Sequence, residues 1–131
     1  MKEITVVAAV IMHDNEFLCV QRGFNKLDYI SEKYEFPGGK LEVGETEQEA
    51  LIREIDEELK MEITIKGKLI TVNHSYPDFQ LTMHSYLCSV NSRELTLTEH
   101  LGYKWIRKDE LLDLDWASAD IPIVHKINAS K

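Results

Sequence analysis

The chain is short of positive charge. Its 131 residues hold 15 lysines and arginines against 23 aspartates and glutamates, a net charge of −8. It carries none of the basic footprint that grips a phosphate backbone, which argues against a nucleic-acid polymer as partner. Cysteine is scarce too. Cys19 and Cys88 form no CxxC pair and have no metal-ligand spacing. That argues against a disulfide framework or a zinc site and suits two buried, reduced thiols in a cytoplasmic protein. No apolar run is long enough to cross a bilayer. The N-terminal MKEITVVAAVIMHD is too short for a span and lacks a small-residue cleavage site, so it reads as a strand. Internal repeats, linkers and low-complexity tracts are missing as well. With 44% hydrophobic residues, the expectation is one ordered domain over residues 1–131.

What the chain does have is acid, concentrated in one place. Between Glu42 and Glu62 stand nine acids and two bases, so most of the net charge falls there. The stretch follows a glycine turn, Phe36-Pro37-Gly38-Gly39. Thr46 and Glu49 have the spacing of a capping box, which predicts a helix start. Leucine and isoleucine at 51, 52, 55 and 59 predict a buried face. Glu54, Glu57 and Glu58, at i, i+3 and i+4, share an arc of about 100°. Like charges so placed repel, and a hard cation that prefers oxygen ligands, such as Mg²⁺, removes the conflict. A surface helix that happens to be acidic is the plain alternative.

The spacing carries a resemblance. A glycine, five residues, Glu45, seven residues and then Arg53-Glu54-Ile55-x-Glu57-Glu58 resembles the Nudix box of nucleoside-diphosphate-linked hydrolases. The departure is Lys60, where the family usually has a helix-ending glycine; a left-handed lysine costs about 1 kcal/mol. The resemblance implies an α+β Nudix fold, an α/β/α sandwich around a mixed central sheet.

Residue pattern fills in the rest. Residues 3–12 and 16–22 read as a hairpin about His13-Asp14-Asn15, and 23–33 as a loop. Residues 62–74 and 79–90 read as a second antiparallel pair about Ser75-Tyr76-Pro77-Asp78, which could bring His74 near His84; neither histidine is given any chemistry. A polar loop spans 91–100, a strand 102–106, a short helix or turn 108–114. A final helix runs to about Asn128, with Asp120 its N-cap.

The resemblance implies hydrolysis of a nucleoside triphosphate to the monophosphate and diphosphate, with Mg²⁺, or Mn²⁺ in its place. The implied ligands are Glu54, Glu57 and Glu58, the backbone carbonyl of Gly38, and Glu99, which stands six residues before Trp105 as a metal-contacting glutamate does in MutT-like members. Glu54 is the implied general base, and Arg53 and Glu45 position the ligands. Arg22, Phe36, Lys40 and Asp120 are the implied substrate contacts. Each has a plainer reading: a strand-end arginine, a core phenylalanine, a surface lysine, a helix cap. For Glu99 the plainer reading is a solvated loop acid. The Ala119-Asp120-Ile121-Pro122 segment resembles CTP pyrophosphohydrolases more than MutT. An ionised aspartate accepts, as a cytosine amine requires, so CTP or dCTP is the expected substrate. An 8-oxo-dGTP diphosphatase, or a nucleotide sensor without catalysis, is the alternative. The partner is thus a small nucleotide, no membrane is involved, and monomer or homodimer is left open.

Overall fold

A computed structural model describes residues 2–129. Strand β1, Lys2–His13, is its axis. It pairs in parallel with β6, Phe79–Ser89, from Lys2 opposite Phe79 to Met12 opposite Ser89. Strand β2, Glu16–Gln21, turns back from β1 through Asp14 and Asn15, both left-handed at φ 50° and 64°. Two such residues suit a tight hairpin turn, and Asp and Asn tolerate that conformation best among non-glycine residues. Short strands β3, Tyr34–Glu35, and β4, Gly38–Lys40, pair with β2 and β1 respectively. Strands β5, Thr64–Ser75, and β7, Gly102–Arg107, complete a mixed sheet in the order β3-β2-β1-β6-β5, with β7 along β2.

The apolar run of β1 is explained by burial on both sides. Ala8 and Val10 face one core with Phe36, Trp116, Ile123 and Val124, while Val7, Ala9 and Ile11 face the other with Leu51, Ile55 and Leu59. Helix α1, Glu47–Leu59, covers the second face and α2, Ile121–Ala129, the first, so the α/β/α sandwich is observed. Cys19 lies in the first core and Cys88 in the second. Both thiols are free and buried, and burial pushes each up to about 12. Among the described residues no helix is long and apolar enough to cross a membrane.

Helix α1 opens on the expected capping box: Thr46 accepts from the Glu49 amide, and Glu49 accepts from the Thr46 amide. Its buried face loses Ile52 and gains Ala50 and Glu58. Ala50, not Ile52, packs beside Leu51, Ile55 and Leu59, and Ile52 is half exposed. One residue past Leu51 is about 100° around the helix, enough to turn Ile52 to solvent. The helix ends at Lys60, left-handed at φ 55° and ψ 41°, whose amide donates to the Asp56 carbonyl. Lys60→Gly should therefore stabilise the fold by up to about 1 kcal/mol without touching catalysis. An urea midpoint that falls instead would contradict a left-handed end.

Two further expectations need correction. His74 stands opposite Leu81 and His84 opposite Thr71, three residues apart along the ladder, so the histidines point to opposite faces. His74 packs edge-on against Tyr76, and His84 meets Thr71 and Glu47. Asp120 does not cap α2. It ends a 3-10 turn, Ser118–Asp120, and its carboxylate accepts from the Phe36 amide at 3.0 Å. Phe36 falls in the gap between β3 and β4, where no ladder partner serves its buried N–H.

Candidate active site

Helix α1 presents Glu54 and Glu58, one turn apart, to a cleft of about 400 Å³ that Glu99, His100 and Lys40 also line. Strand β4 runs close against the helix. A Cβ added at Gly39 would lie 2.3 Å from the Glu54 carboxyl carbon, and one at Gly38 would lie 1.9 Å from the Val7 carbonyl oxygen. The pair of glycines is what lets this strand pass between β1 and the carboxylates.

Arg53 organises the acids on the outer side. Its Nε and Nη2 reach the two Glu45 oxygens at 2.7 and 2.9 Å. Nη1 reaches Glu54 at 2.9 Å and Glu57 at 3.2 Å, and Nη2 also donates to the Lys40 carbonyl. The guanidinium fork suits such planar, multiple recognition. These bonds hold the Glu45 carboxyl below its usual range. Glu57 is thereby directed at Arg53, and its side chain is 56% exposed.

The loop that carries Glu99 is docked by backbone chemistry. The last carbonyls of a helix have no partner within it. Thr96 donates its amide to Leu59, Thr98 its amide to Glu58, and the Thr98 hydroxyl bonds the Glu57 and Glu58 carbonyls. Leu95 and Leu97 pack against the core under α1. Arg93 ties the loop's start to the first hairpin through His13 and Glu16, and lies over Trp105.

A second, apolar cleft of about 210 Å³ adjoins the first, and the two share Arg22, Glu35, Gly38, Gly39 and Lys40 in their linings. Phe36 lines it and stacks on Trp116 at 4.7 Å. Tyr76, whose hydroxyl accepts from the Ala119 amide, and Asp120 close its far side. Arg22 pairs with Glu35 at 2.9 Å, and His100 meets the other Glu35 oxygen at 3.1 Å.

The charge balance is unfavourable without a further cation. Burial, the neighbouring Glu54, and the charges of Glu35 and Glu99 push the Glu58 carboxyl up to about 9. Glu58 Oε1 is buried with no hydrogen-bond partner. Burial and then the Glu35 charge push Asp120 well above the carboxylate range. Among the described residues no three such side chains are already gathered as a metal cage. A hard cation that retains several waters does not need one, and an orphaned carboxylate oxygen beside other acids fits such an ion.

A family model described as the NUDIX domain matches residues 6–126. The chain belongs to the Nudix family. It is a hydrolase acting on nucleotide diphosphate bonds, in a family that uses divalent metals. It is 32% identical to a CTP pyrophosphohydrolase of Escherichia coli, over 98% of this chain and 94% of that one. It is 38% identical to an 8-oxo-dGTP diphosphatase of Proteus vulgaris, over 72% and 84% respectively. The solution structure of a MutT protein of the Nudix hydrolases from methicillin-resistant Staphylococcus aureus superposes with a TM-score of 0.75 at 44% identity, covering 98% of both chains.

Within this Nudix fold the residues singled out from sequence divide into three groups. Glu54, Glu58, Glu99, Gly38, Lys40 and Arg22 line the acidic cleft. Phe36 and Asp120 line the apolar one. Arg53, Glu45 and Glu57 form the guanidinium cluster beside it. Sequence reading passed over Glu35, which lines both clefts, and His100, which meets it from the acidic one. Nothing in the spacing marks Glu35, whereas the alternation Leu95-Thr96-Leu97-Thr98 could have signalled that Glu99 and His100 arrive together on a docked segment.

Proposed function

We propose that this Nudix hydrolase cleaves a cytidine nucleoside triphosphate, CTP or dCTP or a modified cytosine form, to the monophosphate and diphosphate with Mg²⁺. The observation that carries the reading is a buried aspartate, Asp120, at the far side of an apolar cleft continuous with the acidic one. A base fits the first and the phosphates reach the second. The CTP pyrophosphohydrolase relative, aligned over nearly the whole chain, supports the same choice. Mn²⁺ is a workable substitute.

In this reading Glu54, Glu58, Glu99 and the Gly38 carbonyl hold the ion, with Glu57 at the rim. A bound Mg²⁺ supplies neutralisation of phosphoryl charge and acidifies a water. Glu54, aimed by Arg53, takes the proton of the attacking water. The water oxygen joins phosphorus, the bond to the bridging oxygen breaks, and diphosphate leaves. Lys40 meets phosphate at the junction, and Arg22 keeps Glu35 in place between the two clefts.

Asp120→Asn tests the base. Asparagine keeps an acceptor for the Phe36 amide, so the fold should hold, and its melting temperature at neutral pH should rise. The sign follows from the raised carboxyl. Below its ordinary range the group is protonated in both states; as pH climbs toward the raised value, the folded state resists ionisation and loses stability. Meanwhile the ratio of kcat/KM for dCTP over 8-oxo-dGTP should fall roughly tenfold, the scale of one lost hydrogen bond to the base. Equal losses on both nucleotides would mean that Asp120 supports Phe36 and reads nothing. A wild-type enzyme that prefers 8-oxo-dGTP would favour the second reading, which the Proteus vulgaris relative suggests.

A further inference from the structure

The segment that brings Glu99 to the cleft also brings His100, which none of the chemistry above uses. Two buried side-chain polar atoms among the described residues lack a hydrogen-bond partner, Glu58 Oε1 and His100 Nδ1, and both residues line the acidic cleft. His100 Nε2 lies 3.1 Å from Glu35 Oε2 and 3.8 Å from Glu58 Oε1. The side chains of His100 and Glu58 are each 6% exposed. Glu35 Oε1 is occupied by Arg22. The Glu35 carboxylate accepts in this contact, so Nε2 carries its hydrogen.

We propose that His100 is a positioning residue for Glu58, its Nε2–H anchored on Glu35 and facing Glu58 Oε1, and that it thereby sets the affinity of the cleft for a divalent cation. The inference rests on the reading of Glu58 as a ligand. Glu58 is close enough to Glu54, Glu35 and Glu99 to feel the charge of each. The imidazole is the polar hydrogen donor that faces both Glu35 and Glu58, and it stands in the buried gap between them. Without it, two carboxylates confront one another directly and Glu58 is free to swing. His100 does not depend on the ion for its own place, because Thr96 and Thr98 hold its segment on the end of α1. Groups that orient a metal-binding side chain in this way are worth roughly 10- to 100-fold in metal affinity.

The test is a titration of Mn²⁺ into nucleotide-free protein, followed by loss of the free-ion electron paramagnetic resonance signal, with circular dichroism confirming each fold. His100→Ala should raise the dissociation constant roughly 10- to 100-fold. His100→Gln, whose amide nitrogen reaches the place of Nε2, should stay within about threefold of wild type. Unchanged affinity in the alanine variant overturns the proposal, as does equal weakening in both variants, which would mark His100 as packing. If the wild type and Glu58→Gln bind Mn²⁺ alike, the ligand reading of Glu58 fails instead.

Discussion

Glu58→Gln should abolish most turnover and make the metal-free protein harder to melt. The two effects share one cause. Glu58 sits on the buried face of α1, its carboxyl beside Glu54 and within the field of Glu35 and Glu99. Its ionisation is raised from 4.5 to about 9, so between those values the folded protein holds a proton that the unfolded chain releases. Stability is then fully present below about pH 4.5 and falls as pH rises toward 9. Glutamine removes the penalty, and at pH 8 the metal-free variant should be more stable on the order of 2 kcal/mol. Mg²⁺ should raise the wild-type melting temperature and raise that of the variant less, because an ion bound only to the folded state stabilises by mass action. With the ion poorly held, the loss of phosphoryl charge neutralisation is worth several kcal/mol, or roughly a thousandfold in kcat. Glu57→Gln should cost less, since Glu57 is half exposed and turned toward Arg53. Full activity of Glu58→Gln at saturating Mg²⁺ would remove it from the ligand set.

These contrasts between neighbouring glutamates could not be read from spacing. Period and caps placed α1 correctly because they are local: Thr46 and Glu49 bond each other, and Leu51, Ile55 and Leu59 recur on one face. The β1–β2 hairpin and the β5–β6 pair were legible for the same reason, through turn residues and alternation. What a helical wheel cannot give is which of Glu54, Glu57 and Glu58 a guanidinium will claim, since that depends on Arg53 also reaching Glu45 eight residues back. Asp120 shows the limit from the other side. Its local context, just before Ile121-Pro122, reads as a helix cap, yet a buried amide 84 residues earlier takes its carboxylate. Glu35 was invisible for that reason as well, since its partners Arg22 and His100 lie 13 and 65 residues away in the chain.

Arg53→Lys should be nearly as damaging to catalysis as removal of the side chain, although it conserves charge. Arg53 bonds Glu45 through two nitrogens, Glu54 and Glu57 through a third, and the Lys40 carbonyl as well. A lysine ammonium is a point charge with three donors on a flexible stem, and it cannot span a bidentate carboxylate while reaching two others. Glu45 would keep a cation nearby, so the fold should survive with a lower melting temperature. Glu54 would lose its fixed direction, and a general base misplaced by a fraction of an ångström is a poor one. The expected loss in kcat is roughly 10- to 100-fold for lysine, with KM for the nucleotide little changed, because Arg53 faces the carboxylates and lines neither cleft. Alanine should lose more, leaving four acids, Glu42, Glu45, Glu54 and Glu57, without the cation they share. A split of this kind separates positioning from substrate binding. If Arg53→Lys instead raised KM and spared kcat, the arginine would be contacting the nucleotide, and Glu54 would be held by something else.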